Sequence, residues 1–391
     1  GRQPTDVVAV DWHGMLAWES IRRALSEDNM PGDETAWQLC SATICYYNFR
    51  VYSSSSWGHS SSQQSDEEAE QMSDDQFYRE KEQLSCRLAD VITCLSEHDK
   101  CMIQRLIEDD DSCSHHHELA ERNIKHIHIL HPPLRGDFWE LASRTNETME
   151  CFNHHLPPEA KRAIEKVSPT CCKQRLFLTC MVRLSPEKSP HLFVTLLQKL
   201  GGMDFLKRNS LIPIICGARS VEDYAKRVVD DFQSMCTSVE GEAWPYVIID
   251  RHLGPKELAA VFSRTAVNVH PCLYDAYGMT LVESAAFGAP SIVSSGGRVG
   301  AVSLLGEGKG CIAVDLEKIM LEASDGSGNS EAPMIDSIQA LLMPVDTSHE
   351  AESLGNYTTL RQIAKEARSQ ALGWDEMACC QGFIDILNEL P

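Results

Sequence analysis

The chain has 391 residues and a formal net charge of −22. That excess of carboxylates excludes a nucleic-acid backbone or an anionic membrane surface as the main partner. A hydrophobic share of 43% is enough for two domains of ordinary size, and there is no run of the roughly eighteen apolar residues that a membrane span needs. The sixteen cysteines scatter through apolar segments or stand as neighbours, with no C-x-x-C pair. This is the pattern of reduced thiols in a cytoplasmic protein. The sequence opens without Met or a signal peptide, which is read as truncation within a first domain.

Residues 6–10 read as a short, fully buried strand that ends in Asp11, Trp12 and His13, and residues 42–47 as a second strand. Residues 53–76 are rich in Ser, Gln and acids and read as a flexible insertion. Between residues 75 and 106, Leu84, Leu88, Val91, Ile92 and Leu95 recur at helical spacing. A polar loop at 109–117 and a strand at 126–130 complete a partial α/β domain over 1–165. A second domain is expected over 172–391. Its strands fall at 175–182, 211–216, 246–249, 266–269, 290–293 and 311–314, and its helices at 190–200, 220–235 and 255–263. Such alternation implies βαβ units and a parallel sheet covered on both faces, with ligands bound outside the carboxyl ends of the strands. Residues 324–333 read as another insertion. The tail at 356–390 reads as helical, with Leu372, Trp374, Met377, Phe383, Ile386 and Leu387 on its buried side.

The stretch 270–288, HPCLYDAYGMTLVESAAFG, carries the chemistry. Asp275 falls in a loop after a strand, Glu283 on the helix that follows, and the amides of a helix start lie between them. Carboxylates accept from sugar hydroxyls, and a helix N-terminus attracts phosphate oxygens. His270-Pro271, Asp275, Tyr277-Gly278, Glu283, Ala285-Ala286, Gly288, Pro290 and Gly296-Gly297 occur in one order. This order resembles the E-x7-E signature of retaining GT-B glycosyltransferases of the glycogen-synthase and sucrose-synthase type, family 4, with Asp in place of the first Glu.

The resemblance implies an α/β fold of GT-B type, two Rossmann-like domains facing across a cleft. It implies transfer of a hexose from a nucleoside-diphosphate sugar to an acceptor hydroxyl with retention, needing neither a metal nor another cofactor. The run R-L-S-P-E-K at 183–188 is similar to the family element whose two cations, here Arg183 and Lys188, hold the donor diphosphate. Asp275 then contacts the donor sugar, Glu283 the ribose hydroxyls, and the backbone of Gly278, Met279 and Thr280 the phosphates or sugar. The D-W-H run at 11–13 resembles an element of glycogen and starch synthases that puts His13 beside the sugar; His13 reads equally as a structural histidine at a strand end. In such proteins a helical tail packs back towards the first domain.

The chain departs from the pattern in three places. The first domain is short, its first strand lacks the usual Gly-rich loop, and Arg298 to Val302 follow the glycine pair where a Glu is common. An Asp-adapted enzyme, another GT-B chemistry such as epimerisation, and a non-catalytic binding relative all remain open readings. His115, His116 and His117 beside Cys113 lack a second metal-binding pair, and the acids at 109–111 do not form a metal-binding D-x-D.

Overall fold

The computed structural model describes residues 6–27, 42–52, 67–109, 127–144, 149–167, 175–237, 241–296, 298–306, 308–319, 332–342 and 353–389. The chain divides into two compact units, Gly1–Pro132 with Gln381–Pro391, and Pro133–Cys380.

The first unit holds a parallel sheet of β1 (Asp6–Val10), β2 (Thr43–Tyr47), β3 (Val91–Cys94) and β4 (Ile127–Ile129), in that spatial order. Helices α1 (Asp11–Glu27), α2 (Glu67–Leu88) and α3 (Glu97–Glu108) alternate with the strands. Met15, Trp18, Ile44, Tyr46, Ile92 and Ile103 form its core. Three expectations from the sequence do not hold in this unit. Strand β1 is not fully buried: Val8 and Val10, two residues apart on one face, are 44% and 47% exposed, because β1 is the edge strand of this sheet. The helical spacing over 75–106 conceals a helix–strand–helix unit. Leu84 and Leu88 belong to α2, but Val91 and Ile92 are β-branched and lie in a wholly buried strand. Ser96 restarts the helix by accepting at Oγ from the Asp99 N–H, 3.0 Å away. Residues 67–76, expected within a loop, are the first turns of α2; the rest of that insertion, and residues 110–117, lie outside the described residues.

The second unit is built on β5 (Phe177–Met181), β6 (Ile212–Cys216), β7 (Val247–Ile249), β8 (Thr265–His270), β9 (Ser291–Ser294) and β10 (Cys311–Val314). All pairings are parallel, in the order β10-β9-β8-β5-β6-β7. Strands β5 and β6 are buried at every residue, as expected of an apolar run covered on both faces. The covering helices are α4 (Gly136–Ser143), α5 (Pro158–Val167), α6 (Pro190–Lys199), α7 (Gly202–Arg208), α8 (Glu222–Met235), α9 (Pro255–Ser263), α10 (Met279–Ala286), α11 (Ala301–Leu305), α12 (Ala332–Leu342) and α13 (Ser353–Gly373). Helix α7 was not expected; Gly201 and Gly202, at φ 109° and 57°, separate it from α6. Phe193, Leu196, Phe205, Ile215, Val228 and Phe232 fill the core.

This unit starts at Pro133, upstream of the boundary expected at 172, because α4 is tied to α13. Trp139 Nε1 donates to Leu372 O at 3.1 Å, and Leu134 N donates to Trp374 O at 3.0 Å. The buried stripe of α13 is Ile363, Ala367 and Ala371, spaced four apart on one face. In the following helix α14 (Glu376–Asn388), Ile386 is buried, whereas Met377 is 76% exposed and does not belong to the buried side. Residues 381–391 group with the first unit. The 324–331 insertion lies outside the described residues, and 332–333 open α12. Among the described residues no helix is long and apolar enough to cross a membrane, and the cysteines are free thiols, most of them buried.

From β5 the chain steps to β6 and β7 on one side, then crosses to β8, β9 and β10 on the other. The loops after β5 and β8 therefore diverge from neighbouring strands. In an open α/β sheet this switch point is where a crevice forms.

Candidate active site

The β5 loop at the switch point descends through Arg183 into a single 3-10 turn, Pro186–Lys188. The β8 loop runs from His270 to Gly278, which caps α10 in the left-handed region at φ 88°. A Cβ on Gly278 would come within 3.2 Å of Leu281, 3.3 Å of Val299 and 3.4 Å of His270 Nε2. Glycine is thus required there both by conformation and by space. The β8 loop is fastened to the segment after β9. Asp275 N donates to Arg298 O and Gly300 N donates to Asp275 O, both at 3.0 Å.

These loops bring two expected site residues into contact. Lys188 Nζ donates to Asp275 Oδ2 at 2.8 Å. On the same oxygen, His270 Nε2 stands at 3.2 Å. Burial favours a neutral Asp275, but His270, and then Lys188, outweigh it and hold the carboxyl well below the usual carboxylate range. Burial likewise opposes charge on His270, and the Cys272 sulfur and Asp275 carboxylate reverse this, raising the imidazole above its ordinary value. Asp275 is therefore an ionised acceptor held between two cationic groups.

A cavity of about 270 Å³ opens on this cluster, lined by Arg183, Lys188, His270, Asp275 and the residues 278–280 at the start of α10. Gly278, Met279 and Thr280 line the cavity, and helix starts present amides without intrahelical partners. Arg183 is half exposed and paired with Glu187. Glu283 is on the same helix but does not line the cavity. It is 4% exposed, and its nearest cation is Arg135, with Nη1 3.7 Å from Oε1. Burial, assisted by Asp137 and opposed by Arg135, pushes the Glu283 carboxyl up to about 7. His13 belongs to the first unit, exposed on the first turn of α1, its ring stacked on Trp12 at 3.5 Å between centroids.

Five residues around the site were not assigned a role from the sequence. Arg251 and His252 line the cavity from the end of β7; their place just past a buried strand was the signal. Arg135, the partner of Glu283, lies 148 positions away in sequence and gave none. His270 and Cys272 were seen only as parts of a motif, not as neighbours of the Asp275 carboxylate. A second recess of about 430 Å³ lies where α13 meets the amino end of β5 and is lined by Arg175, Arg361, Lys365 and Arg368. Arg175 and Arg368 donate there to the carbonyls of Phe287 and Ala286. They brace the C-terminus of α10, where cations complement the helix dipole.

Residues 163–315 match the family model described as glycosyl transferases group 1. This stretch is similar to a glycosyltransferase group 1 domain. It holds β5 to β10 and every side chain of the cavity. Solved structures share the fold over nearly the whole chain. An α,α-trehalose-phosphate synthase (UDP-forming) from Burkholderia xenovorans, in complex with glucose-6-phosphate, matches at TM-score 0.62 and 12% identity, over 99% of this chain and 74% of that one. Sucrose-phosphate synthase from Thermosynechococcus elongatus matches at 0.59 and 12%, over 99% and 73%. Anabaena HepE in complex with UDP-glucose matches at 0.52 and 14%, over 94% and 77%. At these identities the likeness is one of fold, the GT-B fold. No curated protein sequence matches the chain.

Proposed function

We propose that the protein transfers a hexosyl group from a nucleoside-diphosphate sugar to an acceptor hydroxyl with retention at the anomeric carbon, as a family 4-type enzyme. The observation that carries this reading is the Lys188–Asp275 pair at the sheet's switch point, in the domain that matches group 1 glycosyltransferases. A cation for phosphate oxygens and an ionised acceptor for sugar hydroxyls stand side by side beneath the start of α10. In the reaction the bond between the anomeric carbon and the diphosphate oxygen breaks, and a bond to the acceptor oxygen forms on the same face. The departing phosphate oxygen takes the acceptor's proton. Lys188, Arg183 and the amides of Met279 and Thr280 stabilise the charge that grows on the diphosphate. Asp275 positions the donor sugar, Glu283 accepts from the ribose, and His13 stands on the acceptor-side domain as a hydrogen-bonding partner of the sugar. No step requires a metal, and the buried thiols suit the cytoplasm.

Two similar structures carry UDP in their descriptions, one as UDP-forming and one in complex with UDP-glucose, so UDP-hexoses come first among the donors to test. The assay follows nucleoside diphosphate release from UDP-, GDP- and ADP-hexoses, with and without sugar and sugar-phosphate acceptors. One donor should be consumed only when an acceptor is present, and Lys188→Ala should lower turnover by about 10²–10³-fold. Nucleotide binding with no turnover on any acceptor would instead favour the non-catalytic relative, in which Asp275 in place of Glu marks lost chemistry.

A further inference from the structure

We propose that His270, Cys272 and Asp275 form a binding site for a thiophilic divalent cation, Zn²⁺ by its chemistry, and that its occupation withdraws Asp275 from the donor sugar. The second half rests on the sugar-contacting role proposed for Asp275. The imidazole, thiol and carboxylate atoms of these residues lie within 4.8 Å of one another. His270 Nε2 and Asp275 Oδ2 are 3.2 Å apart. Two ligands bound tetrahedrally to zinc at about 2.0 Å would stand roughly 3.3 Å from each other, so the pair is already at ligand spacing.

An independent observation points to a ligand at this place. His270 is 2% exposed, and its Nε2, 3.2 Å from Asp275 Oδ2, makes no hydrogen bond. Its other nitrogen, Nδ1, is 3.5 Å from Thr280 Oγ1, an outer contact of the kind that orients metal-binding histidines. Gly278 leaves the space over Nε2 free of a side chain. One nitrogen, one sulfur and one oxygen make a set suited to zinc rather than magnesium, which takes oxygen ligands, and three protein ligands leave a fourth position for water. His270 and Asp275 line the cavity, which supplies the route in.

Lys188 sets the terms of binding. Its ammonium lies 2.8 Å from the same carboxylate oxygen, and a dication cannot share that position with it. Metal entry therefore drives Lys188 out into the cavity and releases the Cys272 proton, and any imidazole proton, to solvent. The freed lysine still serves a diphosphate, while Asp275 no longer accepts from a sugar hydroxyl. Zinc and sugar nucleotide should thus exclude each other, and zinc and the bare nucleoside diphosphate should not.

Cobalt(II) titrated into the full chain tests this, because thiolate–cobalt charge transfer is visible and absent from a site without sulfur. We expect about one equivalent of a tetrahedral, thiolate-bound spectrum, lost in Cys272→Ser and in Asp275→Asn and kept in Cys101→Ser. The nucleotide sugar should bleach it, and the nucleoside diphosphate should leave it. The same thiolate band in Cys272→Ser as in the wild type, with both chains folded by circular dichroism, overturns the site. A Cys272-dependent band that persists in a chain saturated with nucleotide sugar overturns the exclusion. Failure of the chain to bind any nucleotide strikes at the proposed enzyme function instead, and a Cys272-dependent band would still support the metal site.

Discussion

Asp275 and Glu283 are eight positions apart in sequence, and their surroundings drive them in opposite directions. Asp275 shares one oxygen with two cationic neighbours and stays ionised. Removing one member of a largely buried pair costs roughly 3–5 kcal/mol; Lys188→Ala should fall near the low end, because His270 still faces the carboxylate. A denaturation cycle of Lys188→Ala, Asp275→Asn and the double variant should give a coupling of about 0.5–3 kcal/mol, and additive effects would mean the pair does not interact in solution. Glu283 has an ordinary value of 4.5 and is pushed up to about 7 by burial. A raised carboxyl favours the folded state when protonated, so its contribution to stability is complete below about 4.5 and is lost as the pH rises through 7. Wild type should lose stability across that window by roughly 3 kcal/mol more than Glu283→Gln. In the ribose-binding role proposed for Glu283, hydroxyls would donate to the ionised form, so nucleotide affinity should climb between pH 6 and 8 in the wild type and stay flat in the Gln variant. A parallel climb in both would assign the effect to another group.

At the scale of elements, the site depends on close backbone approach. A Cβ on Gly300 would meet Ala276 O at 2.1 Å, which would pry the β8 loop from the segment after β9. Gly278 holds a left-handed cap against Val299 and His270. Gly278→Ala should cost about 1–3 kcal/mol from strain at that φ, Gly300→Ala should cost more, and both should weaken nucleotide binding, as thermal unfolding and calorimetry would show. Much of this was legible in sequence. The six strands of the second unit were readable because each is a short apolar run bounded by helical pattern, and the Asp275 loop and Glu283 helix because the motif residues are local. What was not legible depended on non-local contact. Val91 and Ile92 fit a helical spacing by coincidence and were settled by pairing with β2 and β4. Val8 and Val10 looked like core because nothing in DVVAV says that β1 is an edge. Arg135 reaches Glu283 only through the packing of α4 against α10, and His270 meets Asp275 only because the intervening loop folds back.

At the scale of the molecule, each unit has its own sheet and core, and the last residues return to the first unit. Glu389 Oε2 stands 3.9 Å from His128 Nδ1 on β4, so deleting 381–391 should speed amide exchange in β4 and β3 while leaving β5 and β6, buried at every residue, the slowest to exchange. Equal loss of protection in both sheets would contradict a role confined to the first unit. The switch-point cavity brings together Lys188, the ionised carboxylate of Asp275 and the start of α10, in a stretch that matches the group 1 glycosyltransferase model, and we propose that it holds the donor nucleotide sugar. Titration calorimetry of the full chain with UDP, GDP and ADP, repeated on Lys188→Ala and Glu283→Ala, tests that claim most directly. The account predicts saturable binding of one nucleotide, reduced at least about tenfold in each variant, equivalent to some 1.4 kcal/mol. Binding of none, or binding that both variants keep unchanged, would contradict it.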